Sequence, residues 1–249
     1  MLRVTIVSAD SLRGRTALVT GAGRGIGRAV ASALAREGVT VALTARTEAQ
    51  LQETAGRIRR DGGTAHTITA DLTDDGALLA MTERAETLLG GLDILVQNAG
   101  GGPPHGDFER SPIAVWDATL RLNLRMPMLL THRLLPALRR GTQPAIVFVA
   151  SIAGMAGAGG AAADSAAKFG VRGFAQSLFD EIRETGIRVA VISPGFVDTA
   201  LVPPNRRIDR AKMLRPEDVA DAVLFAIRTA STAACAEIVL RPQHSPYAR

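Results

Sequence analysis

The sequence predicts an α/β fold, a doubly wound parallel sheet with helices on both faces. Three observations carry this reading. Short apolar runs suited to buried strands alternate with helical patterns at strand–helix spacing. One stretch, Thr16–Gly38 (TALVTGAGRGIGRAVASALAREG), passes from apolar run to glycine turn to amphipathic helix without interruption. Neither repeat nor linker breaks the pattern in 249 residues, so 1–249 reads as a single domain, with 1–13 as an N-terminal extension.

The first strand candidate, Ala17-Leu18-Val19, has the continuous apolar character of a strand covered on both faces. In the turn after it, each glycine has a physical task. Gly21 allows the tight exit from the strand, Gly25 lets backbone N–H groups approach a pyrophosphate, and Gly27 lets the helix sit close to the sheet. The helix, with Ile26, Val30, Ala33 and Leu34 on one face, offers unpaired N–H donors and a positive dipole end to phosphates. The second strand, Val39–Leu43, runs to Arg46, where an acid would accept from the adenosine ribose hydroxyls. Arginine there, with Arg24 inside the glycine turn, favours the extra phosphate of NADP(H) over NAD(H).

A helix over Glu48–Arg60 stops at Gly62-Gly63 and leads to a third strand, Thr64–Thr69. Asp71-Leu72 comes next; the Asp71 carboxylate accepts from an adenine amino group or caps the next helix, Leu79–Leu89. Gly91–Gln97 is the fourth strand and opens into Asn98-Ala99-Gly100. Gly141–Ala163 is long and uncharged, but its GMAGAGGAAA half is too glycine-rich to span a bilayer, so it reads as a strand, Ala145–Ala150, and a loop. Ile187–Ile192 is the sixth strand and Glu237–Leu240 the last; Pro216 opens the helix between them.

Composition narrows the function. One cysteine, Cys235, excludes an internal disulfide, and four scattered histidines show no ligand spacing, so no metal site is expected. The formal charge of +5 comes almost wholly from arginine, with Lys168 and Lys212 the only lysines. At 4% aromatic residues there is no basic stripe interleaved with rings, so nucleic acid is not an expected partner. Met1–Ser11 lacks an apolar signal core, and a cytoplasmic location without membrane association is expected.

The chain resembles the short-chain dehydrogenase/reductase family from about Gly14 to Pro242. The resemblance is carried by TGAGRGIG at 20–27, Asp71-Leu72, QNAG at 97–100, LRLNLRMP at 120–127, Ser151, Lys168 and SPGFVDT at 193–199. It implies a three-layer Rossmann fold with a seven-stranded sheet, a nicotinamide cofactor, a small-molecule substrate and a homotetramer or dimer. It also implies roles. Asn98, Ala99 and Gly100 would line the adenine ribose, with Gln97 where Asn is usual. Asn123 would hold a water in a proton relay, Ser151 would bond the substrate oxygen, and Lys168 would bond the nicotinamide ribose. Pro194, Gly195, Val197 and Thr199 would border the nicotinamide. Residues 200–215 would form a substrate lid, whose Arg206, Arg207, Arg210 and Lys212 suit an anionic substrate or an acidic carrier protein, or simply a solvated face.

One position departs from the family pattern. Four residues before Lys168, where a tyrosine belongs, stands Asp164; the only tyrosine is Tyr247. The i,i+4 spacing puts Asp164 and Lys168 on one helix face. A phenol exchanges a proton with the substrate oxygen, whereas an ionised carboxylate only accepts hydrogen bonds. Ordinary ketone reduction should therefore fall by about 10²–10⁴, the scale of general acid–base catalysis. Three readings are open: reduction of an imine or iminium whose cation Asp164 stabilises; reduction of an unusual carbonyl through Ser151 or a relayed water; or a non-redox role on the same scaffold, as cyclase, isomerase or nucleotide-binding subunit. Apolar excess on the helices of Phe108–Leu138 and Phe169–Ile182 points to subunit contacts, with Trp116 and Phe179 in an interface or the core.

Overall fold

The computed structural model describes residues 11–102, 106–202, 204–230 and 232–247; most of the N-terminal extension lies outside them. Seven strands form one parallel sheet: β1 (Thr16–Thr20), β2 (Thr40–Ala45), β3 (Thr64–Thr69), β4 (Ile94–Gln97), β5 (Ala145–Val149), β6 (Arg188–Pro194) and β7 (Glu237–Leu240). Their spatial order is β3-β2-β1-β4-β5-β6-β7, and every neighbouring pair is parallel. The chain winds outward from β1 to β3 and then crosses back to β4. A crevice consequently opens at the C-terminal ends of β1 and β4, where ligands of such sheets bind.

Alternation along the strands decides which helices cover which face. Ala17 and Val19 of β1 and Ala145 and Val147 of β5 face one buried cluster, shared with α1 (Gly25–Arg36), α2 (Glu48–Arg60) and α7 (Pro216–Ile227). Leu18, Ile146 and Phe148 face the other, with α3 (Asp75–Leu89), α5 (Met126–Leu138) and α6 (Ala162–Ile182). Each fully buried aliphatic side chain contributes roughly 1.5–3 kcal/mol, so the two clusters hold the sheet rigid while the loops above it are free to specialise.

At the N-terminal edge a single carboxylate joins three strands. Asp93 accepts from the Thr16 N–H at 2.7 Å and from the Thr142 N–H at 2.6 Å, which ties the starts of β1, β4 and β5. Asp93 also explains why β4 begins at Ile94 rather than at the expected Gly91. Helix α3 starts four residues before the expected Leu79, because Asp74 caps it by accepting from the Ala77 N–H at 2.7 Å. The cap is therefore Asp74, and Asp71 is left to another task.

The run Phe108–Leu138 divides into a 3₁₀ turn (Phe108–Arg110), α4 (Ile113–Leu120), a π turn (Arg121–Arg125) and α5. The Asn123 amide donates to the Thr119 carbonyl at 3.0 Å, and a side chain inserted in the hydrogen-bond ladder widens a helix in this way. Among the described residues no helix is long and apolar enough to cross a membrane, and no group of His, Cys, Asp or Glu is placed to hold a metal ion.

Candidate active site

The glycine turn between β1 and α1 forms the floor of a cleft of about 270 Å³ at the C-terminal edge of the sheet. Gly21 and Gly25 adopt φ of 65° and 54°, the left-handed region that glycine enters without strain. A Cβ on Gly27 would come within 2.5 Å of Asn98 Nδ2 and closer still to the Gly21 carbonyl oxygen. Gly27 is thus what lets α1 pack on the strand exit. Thr20 joins the turn to the end of β4: its hydroxyl accepts from the N–H groups of Asn98 (3.0 Å) and Ala99 (2.9 Å). The Asn98 amide donates back to the Thr20 carbonyl at 3.0 Å. Gln97, in contrast, points away, donating to Thr131 Oγ1 at 2.7 Å and to the Pro127 carbonyl.

The cleft gathers Gly21, Arg24, Gly25, Ile26 and Arg46 from the first two strand ends. Asp71, Leu72, Asn98, Ala99, Gly100 and Thr199 line its other walls. The arginines around it differ in what they hold. Arg28 is spent on structure: it donates to the Gly23 carbonyl at 2.7 Å and pairs with Glu53 at 2.9 Å. Arg24 and Arg46 are exposed, and their guanidinium groups make neither hydrogen bond nor ion pair among the described residues. Asp71 accepts from the Thr73 N–H (3.0 Å) and hydroxyl (2.7 Å). Those bonds, with Arg46 nearby, hold its carboxyl below the usual carboxylate range. Both bonds fall on Oδ1, which leaves Oδ2 to accept from a ligand.

Two more of the expected residues, Asn123 and Lys168, meet beside Gly100. A Cβ there would lie 2.9 Å from Asn123 Oδ1 and 3.3 Å from Lys168 Nζ, so both polar groups crowd the loop after β4. Asn123, 2% exposed, grips Gly101 through both backbone groups, accepting from its N–H at 2.9 Å and donating to its carbonyl at 2.8 Å. Its side chain is therefore occupied in shaping this loop. The Lys168 ammonium meets no hydrogen-bonding partner among the described residues. Burial pushes it below the ordinary lysine value, and the Asp164 charge, next in effect, pulls it back up. Asp164 is half-buried in the first turn of α6, where a negative charge also complements the helix dipole. Ser151, at the end of β5, caps a 3₁₀ turn (Ile152–Gly154) by accepting from the Ala153 N–H at 3.1 Å; its own proton is left to donate.

Sheet order, glycine turn and cleft together point to one family, and comparison agrees. A family model described as short chain dehydrogenase matches residues 15–209. The chain belongs to that family. It is 32% identical to a ketoacyl reductase, HetN, of a Nostoc species, over 89% of this chain and 78% of the relative. An uncharacterised oxidoreductase of Staphylococcus aureus is 32% identical over 93% of this chain and 98% of the relative. Among solved structures, a short chain dehydrogenase from Burkholderia cenocepacia in complex with NADP superposes with a TM-score of 0.86 at 29% identity, covering 94% of this chain and 98% of its own. A metagenomic short-chain oxidoreductase in complex with NADP gives 0.81 at 33% identity, covering 94% and 100%. The chain is an oxidoreductase of this family by both measures.

Members of the loop after β6 divide in role. Pro194 ends the strand, and Gly195 is held by its N–H donating to the Leu240 carbonyl at 2.8 Å. Val197 is 5% exposed and its side chain joins the core with α1 and α7, bridged to Leu214. Thr199 reaches the cleft and touches the space above Gly25, 3.1 Å from where a Cβ would stand.

The segment expected to act as a lid is tied down at several points. Arg210 donates to the Thr199 and Val202 carbonyls at 2.9 Å each and pairs with Asp198. Lys212 pairs with Asp209 at 3.4 Å. Two of the four basic groups are thus neutralised by neighbours. Leu201 leans over Gly101, 3.1 Å from where a Cβ would stand there. Tyr247 does not line the cleft: it packs edge-on against Phe196 and pairs with Ile208 of the same segment. Trp116 stacks on the exposed Phe108 at 4.4 Å. Sequence reasoning quoted Thr20 only as part of the glycine motif and gave Thr73 no task. Thr20, immediately before the glycine turn, is the one whose position could have flagged it.

Proposed function

We propose that the protein is an NADP(H)-dependent reductase that acts on an imine or iminium, or on a carbonyl that suits an anionic site. The reading is carried by the carboxylate of Asp164, one helical turn before Lys168 and near enough to act on its charge, together with a cleft whose Arg24 and Arg46 side chains lack a partner among the described residues. The residues fit the cofactor. Gly21, Gly25 and Gly27 keep backbone atoms where side chains would intrude, and the two free guanidinium groups suit the adenosine phosphate of NADPH. When bound, NADPH supplies the hydride.

The chain's own residues do the rest. Lys168 would donate to the nicotinamide ribose from its unpartnered ammonium. Asp164 would attract and orient a cationic carbon–nitrogen double bond, an interaction that gains strength in a half-buried site. Ser151 keeps a hydroxyl proton to offer a substrate oxygen or nitrogen. An iminium already carries its proton, so a site without a phenolic donor is no handicap for it. Two copies of the chain would meet across the apolar groove between α4, α5 and α6, which exposed Met128 lines.

The test is NADPH consumption with a panel of cyclic imines and ketones, in the wild type and in Asp164→Asn and Asp164→Tyr. Imine reduction should exceed ketone reduction in the wild type and fall in both variants. Asp164→Tyr should raise ketone reduction by roughly 10²–10⁴. Tight NADPH binding with no turnover of either class would refute the reading and leave the non-redox alternative.

A further inference from the structure

The turn that presents Ser151 is braced from behind by a group outside the site. Arg172 lies four residues after Lys168, on the same face of α6, and is half-buried. Its Nη1 donates to the Gly154 carbonyl at 2.7 Å, the last residue of the 3₁₀ turn that Ser151 caps. Its Nε and Nη2 donate to the two oxygens of Glu237 at 2.7 Å each, a bidentate pair to the first residue of β7. Glu237 accepts in addition from Ser193 Oγ at 3.0 Å, near the end of β6. The Arg172 bonds hold the Glu237 carboxyl below its ordinary range, with Ser193 adding to the effect.

These bonds converge where the site segments touch. Gly154 has no room for a side chain: a Cβ would stand 2.8 Å from the Lys168 carbonyl oxygen and 3.1 Å from Arg172 Cδ. On its other side the turn meets the loop after β6, since Ile152 Cδ1 lies 3.6 Å from where a Cβ of Gly195 would be. The Ser151 turn, the Lys168 helix and the Pro194–Gly195 corner are therefore three bodies in contact; the guanidinium, itself borne on the Lys168 helix, bonds the first directly and is linked to the strand before the corner through Glu237 and Ser193. A carbonyl at the end of a single 3₁₀ turn has little else to fix it. A Lys side chain could replace the charge but not the fork, because one ammonium cannot keep both carboxylate oxygens and reach Gly154.

We infer that Arg172, oriented by Glu237 and Ser193, is a positioning residue that sets the Ser151 turn against the Lys168 segment. The inference rests on the reductase reading only for its kinetic arm, and Arg172 itself does not line the cleft. Its alternative is a purely architectural clasp between α6 and the sheet edge. The two part ways when the pair is replaced by apolar groups of similar size, a change that is often neutral for stability.

The test uses Arg172→Lys and the double variant Arg172→Met, Glu237→Met, each checked for wild-type circular dichroism and melting. Both should turn over the best substrate roughly ten- to a hundredfold more slowly, the scale of a misplacement of about 1 Å, with KM for NADPH held within about twofold. An independent readout needs no substrate. Because Lys168 and Lys212 are the only lysines, protein labelled with ¹³Cε-lysine gives two signals, one of which reports the site. In the double variant the Lys168 signal should shift and its titration midpoint should rise as the loosened turn admits water around the ammonium, still facing Asp164; the Lys212 signal should stay. A folded double variant with wild-type kcat and an unmoved Lys168 signal overturns the inference. If the wild type reduces nothing yet the Lys168 signal moves as described, the reductase reading fails and this one stands.

Discussion

On the proposed reading the choice between NADPH and NADH turns on Arg46, and its replacement gives a quantitative expectation. The guanidinium stands exposed at the end of β2, in the same cleft as Arg24, with no carboxylate within ion-pairing distance among the described residues. A fork free of internal partners spends nothing on breaking existing bonds when a phosphate arrives. A hydrogen bond to a charged group contributes about 1.5–3 kcal/mol, so Arg46→Ala should weaken NADPH binding roughly 10- to 150-fold. NADH has no phosphate at that point, and its affinity should change by less than about threefold on the same scale. Arg46→Asp should go further, adding repulsion toward the phosphate and a carboxylate able to accept from the ribose hydroxyls. Isothermal titration of each nucleotide into the three proteins measures all of these constants. Equal losses for NADPH and NADH would refute the assignment, since a general loss means that Arg46 shapes the cleft rather than reads the phosphate. An unchanged NADPH affinity would shift the role to Arg24 alone.

Two further expectations concern packing and assembly. Gly27→Ala places a methyl against the Gly21 carbonyl and Asn98; backbone that cannot yield should cost about 1–3 kcal/mol. Thermal melting should then fall by about 2–12 °C for a chain of this size, with weaker NADPH binding alongside, and an unchanged melting curve would argue that α1 can slide. Met128, 42% exposed beside the apolar groove, is the position to test self-association. Met128→Asp should halve the mass seen by light scattering or reduce it to that of one chain, and an unaltered mass would place the subunit contact elsewhere.

The parts of the molecule that sequence made legible are those whose signal is local. The strand–glycine–helix stretch at Thr16–Gly38, the strand ends at Arg46 and Asp71, and the Asp164–Lys168 spacing each declare themselves within a few residues, and the glycine turn, Arg46 and Asp71 line one crevice. What stayed hidden depends on partners far apart in sequence. The Arg172–Glu237 pair spans 65 residues and the Thr20–Asn98 bond 78, and neither leaves a trace in periodicity. The π turn at Asn123 was illegible for a different reason: its apolar pattern is that of an ordinary helix, and only a side-chain amide competing for the Thr119 carbonyl widens it. The basic residues of the segment 200–215 read as open to an anionic partner or to solvent, and the ion pairs that occupy two of them were not legible. Asp198 and Asp209, which neutralise Arg210 and Lys212, stand within the same short stretch but face them only once it folds.

Asp93 gathers the beginnings of three strands at the rim opposite the crevice. Cohesion and chemistry are thereby anchored at opposite poles of the sheet. A chain built this way can exchange the loops of one pole for others, and so acquire new reactants, without unfastening the knot that keeps it from melting. The reverse also holds: damage at the knot should announce itself as fragility to heat long before it touches selectivity.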